Sequence, residues 1–497
     1  MLSFEEVLTK WDGSADSDVP SVLALLNHVS TARIDFLTMM TMGDKRAALA
    51  ASTSAAFLTP LMASSVNIAL PSIGREFSMD ALSLSWIATS AVLAAAIFLV
   101  PFGRLADIYG RRRVFIYGIT TFTVFSFTSG IAPTGTILII SRAFQGVGAA
   151  MIFGTGVAML TSAYPLAERG RVLGINVAAT YFGLSLGPFI GGFLTQHLGW
   201  RSLFYLNALL GLCIILLVVW RLKTDWAEAR GEKFDFPGSL LYTVSLTMLM
   251  IGFSKLPGIL GAWTLAGGLA GLTAFVAWER KASKPLLDVT LFARNVVFAY
   301  SNAAALINYS ATYALTFLMS LYLQYIKGLD PFIAGAILVA QPIMMALFSP
   351  FAGRLSDTIE PRVVASIGMG IICVGLALFA FVGSETSLVL VTIYLLLLGF
   401  GFALFSSPNT NAVMSSVEKR LYGVASATLG TMRLTGQMLS MGIVMLIFAV
   451  MMGKTQITPE YYPKFLQSMQ LAFSIFSALC LIGIFASLAR GKVRNGS

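Results

Sequence analysis

The sequence predicts an all-α polytopic membrane protein of fourteen transmembrane helices, arranged as two six-helix bundles with two further helices inserted between them. Three observations lead there. Of the 497 residues 57% are hydrophobic and 11% charged, apolar stretches of about 20 residues recur along nearly the whole chain, and one loop sequence occurs twice. A mean hydropathy of +0.81 does not suit a water-soluble surface, because ordinary globular chains carry roughly a quarter charged residues. About 20 helical residues at about 1.5 Å each cross about 30 Å of hydrocarbon.

Residues 1–46 are the one sizeable polar segment and are expected to form a cytoplasmic tail. No basic leader precedes their short apolar run, so they do not read as a signal peptide. A first bundle is expected over 47–222, with spans near 47–70, 82–102, 114–132, 137–161, 171–197 and 202–221. Residues 223–294 supply cytoplasmic linkers and the inserted pair, about 239–278. The second bundle, 295–490, contains spans near 296–325, 332–352, 363–382, 387–414, 424–451 and 467–489, and 491–497 form a second tail.

Orientation follows from the basic residues, which cytoplasmic loops retain. Of the 33 Lys and Arg, 25 fall on the side shared by both termini, 6 on the other side and 2 inside spans. Both termini are therefore expected in the cytoplasm. The net charge of +10 is topological and does not point to nucleic acid.

The repeated loop sets the architecture. Gly103-Arg104-Leu105-Ala106-Asp107 closes the second span and Gly353-Arg354-Leu355-Ser356-Asp357 closes the tenth, an offset of 250 residues. Two six-span halves around a midplane cavity are how many secondary transporters alternate their access. In the first copy, Gly103 and Gly110 permit a tight turn around Asp107, Arg111 and Arg112, a clasp expected to hold the two bundles together in one state. In the second, Glu360, Pro361 and Arg362 replace the arginine cluster, which predicts a weaker clasp around Gly353 and Asp357.

With these features the chain resembles the major facilitator superfamily, and within it the fourteen-span drug:proton antiporters, over residues 47–490. The run Ile139-Ile140-Ser141-Arg142-Ala143-Phe144-Gln145-Gly146-Val147-Gly148 resembles that family's fourth-span motif. Gly183-Leu184-Ser185-Leu186-Gly187-Pro188-Phe189-Ile190-Gly191-Gly192 resembles the fifth-span motif associated with exporters. The resemblance implies a multidrug-type efflux antiporter in a prokaryotic inner membrane, with small-molecule substrates and protons or another ion as coupling partner. Import, or export of organic anions or neutral metabolites, is the alternative.

Arg142 and Arg433 are the intramembrane cations, each costing about 2.5–3.5 kcal/mol on insertion scales, and so mark candidate substrate or coupling positions. Gln145 and Gln437 follow each by about one turn on the same helix face. Asn67 and Tyr181 also interrupt apolar helices and are candidates with them. For Arg142 the competing reading is snorkelling to the interface. Gly183, Gly187, Gly191 and Gly192 are packing positions, with a kink or hinge expected at Pro188.

One departure stands out. Proton-coupled members of the resembled family usually carry an aspartate in the first span, where this chain has Met62. All 23 acidic residues fall in tails, loops or span edges, so the two arginines are expected to make the cavity electropositive. Asp107 or a carboxyl on the substrate are the candidates for carrying a proton. Three scattered cysteines and two histidines offer no metal or disulfide framework, and no cofactor is expected. That inventory also disfavours an enzyme. A channel would show a filter or charge rings, and a receptor needs no repeat. A monomer is expected.

Overall fold

The computed structural model describes residues 42–282, 285–287, 289–418 and 421–491, so most of the expected N-terminal tail and residues 492–497 lie outside the described residues. Among the described residues there is no strand. Spans 1 to 6 are Met42–Glu76, Ala81–Tyr109, Arg111–Gly130, Gly135–Ala163, Leu166–Leu198 and Arg201–Arg221. Spans 7 and 8 are Phe236–Lys255 and Ile259–Glu279. Span 9 joins Val296–Thr312, Ala314–Leu321 and a π-helical turn, Tyr322–Ile326, and span 10 joins Pro331–Leu338 and Ala340–Thr358. Spans 11 to 14 are Pro361–Phe379, Leu388–Ser415, Tyr422–Met451 and Tyr462–Ala489.

Local chemistry accounts for many of the helix starts. Asp80, Thr134, Asn295 and Ser387 each accept a hydrogen bond from the backbone N–H three residues on, satisfying a donor that the first turn leaves free. Thirteen of the described helices are long and apolar enough to cross a bilayer. Span 3 is the other, its hydropathy lowered by Arg111, Arg112 and Arg113 and by a body rich in Thr, Ser and Gly. Packing compensates. A Cβ on Gly148 of span 4 would sit 2.6 Å from the Phe122 nitrogen, and the Phe125 and Phe144 rings stack at 4.6 Å.

The repeat is visible in these close approaches. Gly118 faces the Gly148 carbonyl between spans 3 and 4, and Gly368 faces the Gly401 carbonyl between spans 11 and 12, at offsets within three residues of the one that relates the two loops. Gly183 likewise abuts the Phe57 carbonyl of span 1 and Gly436 the Leu306 carbonyl of span 9. Small residues let helix backbones approach where lipid offers no hydrophobic drive for association.

The inserted hairpin, spans 7 and 8, lies along the seam where span 2 of one bundle meets span 13 of the other. Tyr242, Met250 and Phe275 join one apolar cluster with Leu93 and Ile97 of span 2 and Met438 and Met445 of span 13. The Tyr242 hydroxyl donates to the Ala96 carbonyl at 3.2 Å.

Hydrogen bonds between the bundles gather at the face opposite the chain ends, here the distal face. Ser320 donates to the Asn67 carbonyl at 2.6 Å, Gln324 to Ile68 at 2.9 Å and Gln456 to Ser78 at 2.9 Å. The Ala81 N–H donates to Thr455 at 3.0 Å. The distal end of the structure is thus sealed by main-chain carbonyls of span 1 and the turn after it, and by the first N–H of span 2.

Candidate functional site: a polar layer between the bundles

Near the middle of the membrane-spanning region, span 5 of one bundle meets spans 9, 12 and 13 of the other. The Tyr181 hydroxyl and Ser406 Oγ lie 3.0 Å apart across the interface. Arg433 donates through Nη2 to Thr410 Oγ1 at 2.7 Å, and its guanidinium sits 5.7 Å from the centre of the Tyr309 ring. Gly436 explains this placement. A Cβ there would lie 2.6 Å from the Leu306 carbonyl and 2.9 Å from Tyr309 Cβ, so spans 9 and 13 touch one turn from the arginine. Tyr309 is in turn packed edge-on against Phe402 at 5.5 Å.

Arg433 Nε is buried without a partner, and among the described residues no carboxylate pairs with this guanidinium. A cation with an open donor, one aromatic face and neighbouring hydroxyls suits a solute bearing an acceptor or a negative charge and a flat apolar body. Gln437 lies one turn further along span 13, half-buried.

Arg142 belongs to a second node. It is 4% exposed, so it does not snorkel. Its guanidinium donates to Gln145 Oε1 and, at 3.4 Å, to the Ile87 carbonyl of span 2, while Gln145 donates to Ser126 at 2.6 Å. Tyr313 of span 9 is its electrostatic neighbour from the other bundle. A Cβ on Gly146 would strike the Ala91 carbonyl, which fixes span 4 against span 2 beside this node.

The two arginines thus occupy separate nodes. Asn67 belongs to neither, since its carbonyl forms part of the distal seal. Met62 is 1% exposed within the core of the first bundle.

The fifth-span glycines are divided between two faces. Gly183, Gly187 and Gly191 abut Phe57, Ser64 and Ser65 of span 1 within the bundle. Gly192 abuts Pro331 and Phe332 across the interface, and the Pro188 carbonyl lies against Gly335 of span 10. Span 5 runs unbroken from Leu166 to Leu198 through Pro188.

The basic loop departs from expectation. Instead of clasping the second bundle, Asp107 accepts from Arg111 Nε at 2.8 Å, and Arg111 bridges to Glu228 at 2.9 Å and to Ser162. Arg104 pairs with Glu232 at 2.5 Å, and the Arg112 N–H donates to Asp225 at 2.9 Å. Gly110, at φ +119°, allows this, since a Cβ would fall 2.7 Å from Asp225 Cγ. Four acidic side chains, one from the loop and three from the linker after span 6, are therefore committed to the loop's own half. The side chain of Asp357 lies outside the described residues.

The sequence profile of the Major Facilitator Superfamily matches residues 53–441. The chain belongs to that superfamily. It is a secondary transporter, of the superfamily's fourteen-helix form. It is 33% identical over 408 residues to Multidrug resistance protein Stp of Mycobacterium tuberculosis, covering 80% of this chain and 75% of the relative. It is 28% identical over 435 residues to Riboflavin transporter RibZ of Clostridioides difficile, covering 87% and 94%. A solved bacterial homologue of the human lysosomal transporter Spinster, in an inward-facing and unoccupied conformation, has the same fold, with a TM-score of 0.67 at 15% identity over 91% of this chain and 98% of that one.

In this facilitator Ser406 and Thr410 are layer residues that sequence reasoning missed. Both lie on span 12 one turn apart, and Thr410 stands within the Ser407-Pro408-Asn409-Thr410-Asn411 run, where five consecutive polar or helix-disturbing residues interrupt an apolar span. That interruption was the available signal.

Proposed function

We propose that this facilitator exports small neutral or anionic organic solutes, binding them at the layer formed by Tyr181, Tyr309, Ser406, Thr410 and Arg433. The carrying observation is the half-buried Arg433 guanidinium, whose buried Nε has no partner and which no carboxylate among the described residues pairs with. The basic residues assign both termini to the cytoplasm of a prokaryotic inner membrane. With the distal seal on the outside, the structure corresponds to a state that loads from within. The relative named a multidrug resistance protein supports export. Import of a neutral metabolite is the second reading, supported by the relative named a riboflavin transporter, of which 94% is covered.

The test is efflux from reconstituted vesicles across anionic, neutral and cationic aromatic compounds. Loss of a charge-assisted hydrogen bond costs about 1.5–3 kcal/mol, so Arg433→Ala is expected to raise KM for anions roughly ten- to a hundred-fold while sparing cations. Anion transport unchanged by the substitution refutes the assignment.

A further inference from the structure

The inserted hairpin holds two carboxyl groups that the transport layer does not use. Asp235 caps the N-terminus of span 7, and Glu279 is the last residue of span 8. They meet across Gly238, where a Cβ would touch Asp235 Oδ2 and would lie 2.8 Å from Glu279 Oε1. Glu279 is 2% exposed. Its Oε2 accepts from the Leu287 N–H at 3.0 Å, and Oε1 is buried without a partner.

The two sites are electrostatically opposite. Asp235 accepts from the Gly238 N–H and from Trp278 Nε1, each at 3.1 Å, and stands at a helix N-terminus, where negative charge is favoured. Glu279 stands at a helix C-terminus, where it is disfavoured. Asp235 is the charged group that bears on Glu279 among the described residues, and Arg280 and Lys281, next in sequence, are exposed. Tyr242, the titratable side chain nearby on span 7, is turned to span 2 through its bond to Ala96. Lys284 and Asp288 lie outside the described residues. Of two adjacent carboxyls, one half-exposed and supported by donors and one enclosed, the enclosed member whose charge is less supported is the one to hold a proton.

We propose that Glu279 is a proton-binding site, its Oε1–H donating to the Asp235 carboxylate, and that this proton keeps the segment before span 9 docked on the hairpin. The docked residue is Leu287, whose N–H rests on Glu279 and whose side chain is buried in the cluster shared by the hairpin, span 2 and span 13. Loss of the proton places two negative charges in contact and drives Glu279 and the attached segment away.

The experiment uses the full chain in nanodiscs, titrated from about pH 5 to about pH 9. The infrared carbonyl band of a protonated carboxyl is expected to disappear as pH rises, to be absent in Glu279→Gln, and to titrate at lower pH by a tenfold or greater loss of proton affinity in Asp235→Asn. Hydrogen exchange of the Leu287 amide, read by mass spectrometry, is expected to rise with pH in the native chain. In Glu279→Gln, whose amide keeps both an acceptor for Leu287 and a donor for Asp235, it should rise only by the base-catalysed increase common to all amides, and in the native chain more steeply than that. A titrating band that survives in Glu279→Gln, or Leu287 exchange with the same pH dependence in both proteins, overturns the assignment. Matching thermal unfolding of the variants and the native chain serves as the folding control.

Discussion

At the face carrying the chain ends, residues 103–113 of the first bundle and 353–363 of the second are copies held in different ways. In the first, Arg111 lies between Asp107 and Glu228, and Glu228 is 62% exposed at its side chain. In the second, Pro361 stands where the first copy has Arg111 and has no donor to offer. A guanidinium arrives instead from the far end of the chain. Arg490, fully buried just beyond span 14, donates to the Pro361 carbonyl at 2.8 Å, to Asn409 Oδ1 at 2.9 Å and to Ser301 Oγ at 3.4 Å. Burial pulls its pKa down to about 10, against the opposing pull of Glu360.

The difference separates a clasp from a brace. In the first loop Arg111 is enclosed but its carboxylate partners reach water, Glu228 most of all, and a pair with an exposed partner is worth about 0–1 kcal/mol, so that partner can be exchanged at little cost. A buried cation resting on neutral acceptors cannot leave without stranding them. The first loop is therefore suited to change partners as the bundles rock, and the second to keep its own bundle rigid.

The largest expected effect is that of Arg490→Ala. It removes three hydrogen bonds and deprives three enclosed oxygens of their donor, so detergent-solubilised protein should lose roughly 2–4 kcal/mol, read as an earlier thermal unfolding transition. Next is Gly110→Ala, expected to cost about 1–3 kcal/mol through its positive φ and the crowding of Asp225. Limited proteolysis should then cut faster within 222–235. An unchanged cutting rate would mean the linker is held by something other than the loop. The smallest effect belongs to Glu228→Gln, expected at less than about 1 kcal/mol and weakening further as salt is raised from about 0.05 to about 0.5 M. The comparison breaks if Arg490→Ala and Glu228→Gln respond alike to salt.

Much of the fold could be read before any coordinates, because a bilayer imposes a length and a polarity on every crossing segment. Span 3 shows the limit of that reading, since its arginines and hydroxyls dilute the signal while contacts at Gly148 and Phe144 hold it in place. Arg433 was legible as a cation deep in an apolar helix. Its neighbour Thr410 was marked only by the polar run in which it stands, and Ser406, one residue before that run, was not marked at all, because a lone hydroxyl in an apolar helix costs little. Arg490 was hidden for another reason. At the edge of the last span it counts as one more basic residue of an exposed face, and only tertiary contact with Pro361 and Asn409 reveals that it is enclosed. Glu279, likewise a span-edge residue, is enclosed by the segment that folds back over it.

The hairpin along spans 2 and 13 has a consequence for solutes dissolved in lipid. A pair of bundles has two flanks through which a molecule could slip sideways from the membrane. On one flank the hairpin fills the seam with Tyr242, Met250 and Phe275 and closes that window. On the other, spans 5 and 10 meet backbone to backbone over Gly192 and Gly335, with Phe189 and Phe193 packed on Phe332 beside them. The two flanks are thus closed by different means, inserted side chains on one and touching backbones on the other, so a greasy cargo in the membrane meets unlike barriers on the two sides of the transporter.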